Sequence, residues 1–223
     1  ELGIAENNLF LMLAAMGLIV GHFSGDAAYE LGFVTGFLLV GPFLAIGMYD
    51  LSRQRESGGT VALRPSLSAW KANVPAIGFY AIILALLMAV WIRVSVVVVA
   101  LFFEGGVPTV HTLLRDILAA ENGFLFVGAY LAAGAGFALL VFATSVVSLP
   151  MLLDRPEMDT LTAMITSFNA LRLNFGQMLA WGAVIVALTA IGFATLYLGL
   201  IIVIPLIGHG TWHAYREMVE RDA

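Results

Sequence analysis

An all-α integral membrane fold with six transmembrane helices is what this sequence predicts, and three observations carry the prediction. Of 223 residues, 61% are hydrophobic and 11% charged, whereas a soluble domain carries about a quarter charged residues. The apolar residues come in runs long enough to cross a hydrocarbon core, which takes about 20 helical residues. In lipid only a helix that satisfies its own backbone hydrogen bonds, or a closed barrel, can make that crossing. The loops between the runs are short, and their basic residues fall almost wholly on one side.

In chain order, the first span is expected at 9–22 and the second at 31–49. The third, 74–103, is too long for an upright helix rising about 1.5 Å per residue, so it must tilt, protrude or bend. The fourth is expected at 124–153. The last apolar run, 178–207, is either one overlong helix or a hairpin of spans 178–197 and 198–215 broken near Tyr197-Leu198-Gly199. Charge decides between them. With the hairpin, Arg53, Arg55, Arg64, Lys71, Arg155, Arg172, Arg216 and Arg221 share a side with both termini. The opposite side holds Arg115, beside Asp26, Glu30, Glu104, Asp116 and Glu121. Eight against one is a positive-inside pattern, so both termini are expected in the cytoplasm. The chain is read as a single polytopic domain, 1–223.

Composition also excludes some chemistry. With no cysteine, disulfides, thiolate metal sites and cysteine nucleophiles drop out. The net charge of −5 resides in loops and points to no nucleic-acid partner. The first residue, Glu1, opens no basic n-region and so no signal peptide; an upstream segment is expected before it.

The chain repeats itself. Pro42, Gly47, Tyr49 and Arg53 recur at the same spacing as Pro205, Gly210, Trp212 and Arg216, and Pro150 with Asp154-Arg155 is a degenerate copy. Upstream, Ser68-Ala69-Trp70-Lys71-Ala72-Asn73 matches Asn169-Ala170-Leu171-Arg172-Leu173-Asn174. Within 160–173, Leu161, Met164, Ile165, Phe168 and Leu171 recur at helical spacing with polar residues between them, the pattern of a helix lying in the membrane interface. The unit is therefore an interfacial amphipathic helix followed by a hairpin. Three such hairpin repeats in parallel orientation predict pseudo-threefold symmetry about the membrane normal. On the outer side, Val110, Leu113, Leu114, Ile117 and Leu118 in the loop 105–122 predict a short amphipathic helix that could dock a partner or act as a lid.

The Ser148-Leu149-Pro150-Met151-Leu152-Leu153-Asp154-Arg155 segment, Thr162-Ala163-Met164 and the 205–215 ending resemble an uncharacterised bacterial membrane family, domain of unknown function 2189. The resemblance implies, over essentially the whole chain, a six-span protein of the bacterial inner membrane. It implies no activity.

Small residues mark the expected packing seams: Gly17 and Gly21, Gly32 and Gly36, then Gly134 and Gly136 in the fourth span. Without side chains at a seam, helices approach closely and gain van der Waals contact. Four polar residues are candidate binding positions. Arg93 interrupts an apolar run; on insertion scales an arginine at a helix centre costs about 2.5–3.5 kcal/mol, so it binds an anion, a lipid headgroup or a partner's carboxylate, or snorkels outward. His209 and His213 share one helix face at i, i+4, but Gly210 stands where a zinc protease carries glutamate, and two ligands do not make a site. Asp50 corresponds to His213 in the repeat, and Asp154 with Arg155 closes the fourth span; all three fall at the cytoplasmic rim, where such residues more commonly mark helix ends than form a polar ring that gates a path. His22 and His111 fall toward the outer side, away from that pair, which gives no support to a bis-histidine haem. No cofactor and no metal are expected.

No phosphate loop, nucleophile elbow or pair of intramembrane carboxylates is present. The leading expectation is a non-catalytic accessory or scaffold subunit of a larger inner-membrane assembly, with the lipid bilayer and a membrane-protein complex or homo-oligomer as partners. The alternative is a small transporter or channel with a polar path through Arg93 and the rim. A lipid-acting enzyme is third.

Overall fold

The computed structural model describes residues 45–59, 61–103, 113–195 and 198–219. The expected span 9–22, most of 31–49, and Gly17, Gly21, Gly32, Gly36, His22 and His111 lie outside the described residues. Among the described residues every regular element is helical. In order they are α1 (residues 45–56), α2 (Leu63–Ser66), a 3-10 turn (Ala69–Asn73), α3 (Val74–Phe102), α4 (Leu113–Ala119), α5 (Gly123–Ser145), α6 (Ser148–Asp154), α7 (Thr160–Leu173), α8 (Phe175–Ala194) and α9 (Leu200–Met218). Among the described residues three stretches are long and apolar enough to cross a bilayer: Ala69–Phe102, Gly123–Asp154 and Phe175–Gly192.

α3 runs unbroken through Arg93 for 29 residues, about 43 Å at the α-helical rise. The fourth expected span is instead broken in two. Pro150 has no amide hydrogen to donate to the turn below, so it is tolerated only in the first turn of a new helix, and α6 begins two residues before it. Side chains satisfy the break: Ser148 Oγ donates to the carbonyls of Thr144 and Ala163, and Ser167 Oγ accepts the Val147 amide at 3.2 Å. The apolar run 178–207 also divides, with α8 packing against α9 across a turn. The second half of α9 carries His209, His213, Arg216 and Glu217, and that polarity separates it from the three bilayer-length stretches.

The chain forms two compact units. One comprises the chain to Ala81 together with Ala143 onward. Its core gathers Ile46, Tyr49, Ile77, Val147, Leu152, Leu153, Met178, Trp212 and Tyr215, all fully or nearly fully buried. α7 packs on α6 and α8. Its buried face is Thr160, Ala163, Ser167, Ala170 and Leu171, while Leu161, Ile165 and Phe168 face outward at 58%, 62% and 49% exposure. Of the apolar stripe read from the sequence, therefore, Leu171 enters the core, and small residues make the rest of the close approach. Asp159 caps α7 by accepting the Thr162 amide at 3.0 Å, which satisfies one orphan donor of the first turn. The two matched segments behave alike. Ala69 and Ala170 are buried, Lys71 and Arg172 exposed, and Asn73 and Asn174 stand immediately before α3 and α8.

The other unit is Ile82–Phe142. Within it, Trp91 packs edge-on to Tyr130 (5.5 Å) and against Phe137 (5.4 Å), Phe103 meets Phe126 at 4.9 Å, and Ser95 bonds the Tyr130 hydroxyl at 2.8 Å. Aromatic pairs at these distances add about 0.5–1.5 kcal/mol each beyond their buried area. A Cβ on Gly134 would come within 3.3 Å of Trp91, whereas one on Gly136 would meet nothing within 4 Å. In α4, Leu118 is exposed.

Candidate functional site

A polar rim gathers where α1, α6 and α9 end. Asp50, Arg53 and Gln54 lie one helical turn apart on α1, the spacing that stacks side chains on one face. Asp50 is 3% exposed and its carboxylate is saturated. Oδ1 accepts Arg53 Nη2 at 2.7 Å, and Oδ2 accepts Gln54 Nε2 at 2.7 Å and Ser66 Oγ at 2.8 Å. Gln54 Oε1 in turn accepts the Ala62 amide at 2.8 Å, pinning the turn between α1 and α2. The other arm of Arg53 leaves α1, with Nη1 donating to the Leu153 carbonyl at 3.1 Å near the end of α6.

α9 meets the same end of α6. Asp154 Oδ2 accepts the Tyr215 hydroxyl at 2.8 Å and Arg216 Nη1 at 2.9 Å. Arg216 Nε pairs with Glu56 of α1 at 3.3 Å, and its guanidinium lies 5.9 Å from the Trp212 ring centre. His213 Nδ1 stands 3.7 Å from the other Glu56 oxygen. Arg53 and Arg216 thus both lean on the end of α6 and tie three helices together.

His209 Nδ1 shares a short hydrogen bond with Ser52 Oγ, which also contacts the Met48 carbonyl at 3.2 Å. A serine beside a histidine is the start of an acyl-transfer site. Here Ser52 is buried, and its hydroxyl also faces the Met48 carbonyl of its own helix. No carboxylate bonds His209 among the described residues. The pair joins α9 to α1 and has neither an orienting acid nor an exposed nucleophile.

Of the four candidate binding residues, then, the structure brings Asp50, His209 and His213 to one rim without a direct bond between any two. Arg93 lies in the other unit, exposed on α3. Among the described residues no group of three or more histidines and carboxylates is placed to hold a metal ion. Taken singly, Ser52, Gln54, Glu56 and Ser66 stand out in no sequence pattern, and Trp212 and Tyr215, whose place beside the histidines suggests an interfacial belt, are buried. The i, i+3, i+4 spacing of Asp50, Arg53 and Gln54 was the signal for the first cluster. Nothing local to the sequence pairs Glu56 with Arg216.

Helices that join their polar ends in a buried rim and leave long apolar flanks exposed are those of an integral membrane protein. The chain belongs to the family catalogued as domain of unknown function 2189 and described as predicted integral membrane proteins, whose profile matches residues 30–154. The match is narrower than the whole-chain extent expected above. Neither a curated protein nor a solved structure matches the chain.

Proposed function

We propose that this protein is a non-catalytic accessory or scaffold subunit of a larger assembly in the bacterial inner membrane. In this reading it has six spans, three hairpin repeats in parallel orientation, and both termini in the cytoplasm. The observation that carries the reading is the closed rim. Asp50, Glu56 and Asp154 are each engaged by an arginine, a hydroxyl or an amide of a neighbouring element. Charges satisfied in this way hold helices in register rather than wait for a substrate. The exposed apolar flanks of α3, α5 and α8 supply surface for lipid and for other membrane helices.

The test is purification of the full chain from its native membranes in mild detergent, with stoichiometry read by mass spectrometry. A partner recovered in fixed ratio is the expected result. A lone monomer or homo-oligomer that moves a solute when reconstituted into liposomes, and stops when Arg93 is replaced, overturns the reading in favour of a transporter or channel.

A further inference from the structure

We infer that Lys71 and Arg172 are two equivalent binding positions for the phosphate of anionic phospholipids, and that the exposed face of α7 seats the acyl part of the lipid held at Arg172. The inference stands independently of the subunit reading. The two cations occupy the same place in the matched segments. Each follows a buried alanine, Ala69 or Ala170, by two residues, and each stands three residues before a long apolar helix, α3 at Val74 or α8 at Phe175. The 3-10 turn and α7 both pack on α6, and both cations are exposed. Among the described residues neither side chain makes an ion pair or a hydrogen bond.

Position, charge and spacing together identify the occupant as lipid. In an integral membrane protein, the foot of an apolar helix of bilayer length adjoins the headgroup layer. The surroundings are purely basic, since no acidic residue lies between Ser57 and Phe103 or between Thr160 and Arg216. Basic segments bordering a membrane attract anionic lipid. On α7, at 100° per residue, Arg172 falls in line with Leu161, Ile165 and Phe168, one turn past Phe168. This face therefore needs an apolar cover and an anion one helical turn apart, and a phospholipid carries both in one molecule. The exposed apolar surface runs on through Leu173 and Phe175 into α8, so α7 is continuous with the flank that meets the acyl chains. At the first position Lys71 lies 5.7 Å from the Trp70 ring centre, a cation beside the kind of ring that belongs at headgroup level. A guanidinium grips two phosphate oxygens where an ammonium offers a point charge, so Arg172 is the tighter of the two. A protein partner would have to bring an acid to both positions, whereas the headgroup layer supplies both.

The experiment offers the full chain, purified in neutral detergent, phosphatidylglycerol and phosphatidylcholine with identical acyl chains, and counts retained lipid by native mass spectrometry. Phosphatidylglycerol should be preferred. Arg172→Gln and Lys71→Gln should each weaken its apparent affinity about fivefold, the worth of one cation near an anionic surface, and the double variant about twenty-five-fold. Arg172→Lys and Lys71→Arg should keep most of the preference. Arg55→Gln, which removes an exposed cation that leads into no long apolar helix, should change nothing. Unchanged melting temperatures separate these losses from misfolding. A photoreactive residue, Phe168→p-benzoylphenylalanine, should give adducts with lipid in native membranes. Four results overturn the inference: no preference for phosphatidylglycerol, an equal loss with Arg55→Gln, displacement of the lipid by millimolar inorganic phosphate, or adducts at position 168 with protein, whether residues 1–44 of this chain or a partner.

Discussion

At the scale of single residues, the rim is held by charged hydrogen bonds in a partly desolvated place. Such bonds each contribute about 1.5–3 kcal/mol. Asp154→Asn removes the anion shared by Tyr215 and Arg216, and we expect it to cost about 2 kcal/mol, read as a lowered melting temperature in detergent. Tyr215→Phe removes one of the two bonds and should cost about 1 kcal/mol. Because both changes act on one carboxylate, the double variant should lose less than the sum of the two. Asp159 yields a prediction in pH. The Thr162 hydroxyl and the Thr162 amide hold its carboxyl below the ordinary aspartate value. A depressed value in the folded state means that the contribution is present above the unfolded value, about 3.9, and is lost as pH falls through the folded one. Exchange of the amides in the first turn of α7 should therefore accelerate below about pH 4. With Asp159→Asn, whose side chain caps without titrating, that acceleration should disappear.

At the scale of elements, close approach decides what can be changed. A Cβ added to Gly208 would come within 2.6 Å of Met48 Cβ, an atom fixed to the α1 backbone. Gly208→Ala should therefore push α1 and α9 apart at a cost of about 1–3 kcal/mol. Gly136→Ala meets open space and should leave the melting temperature within about a degree of the parent, given that surface changes stay within about 0.5 kcal/mol. A large loss at Gly136 together with none at Gly208 would contradict this account of the seams. The elements themselves were legible from the sequence to the extent that lipid enforces them. A span must be apolar and helical throughout, so α3 and α8 begin within a few residues of the boundaries read from composition. The ends of α7 follow from its helical periodicity, with Asp159 as cap. What composition does not encode is a local break. The interruption at Val146-Val147 depends on Pro150 and on a hydroxyl delivered by Ser167, 20 residues away. Gly134 and Gly136 look alike in the sequence, yet only Gly134 faces the Trp91 ring. The same limit applies to the rim. Asp50 could be read as polar at a helix end, but its partner on α2, Ser66, is brought near only by the fold.

For the whole molecule, the family assignment establishes an integral membrane protein and leaves its orientation to be measured. The chain has no native cysteine, so single substitutions report cleanly on sidedness. Arg55→Cys and Glu217→Cys should label only when a membrane-impermeant maleimide reaches the cytoplasmic face, and Asn122→Cys only from the opposite face. Labelling of Arg55→Cys and Glu217→Cys from different faces would remove the hairpin 178–197 and 198–215, and with it the three parallel repeats. The rim also imposes a schedule on the molecule. Ser52 and His209 are 157 positions apart, and at about 5–20 residues per second a ribosome needs roughly 10–30 s to make that length. Throughout that interval Ser52 and Glu56 have been made while their partners on α9 do not yet exist. A nascent chain stalled before His209 would hold α1 and α6 with an open seam, and with Glu56 and Asp154 lacking Arg216. The same contacts that fasten the finished protein therefore also mark, for the cell, the moment at which it is finished.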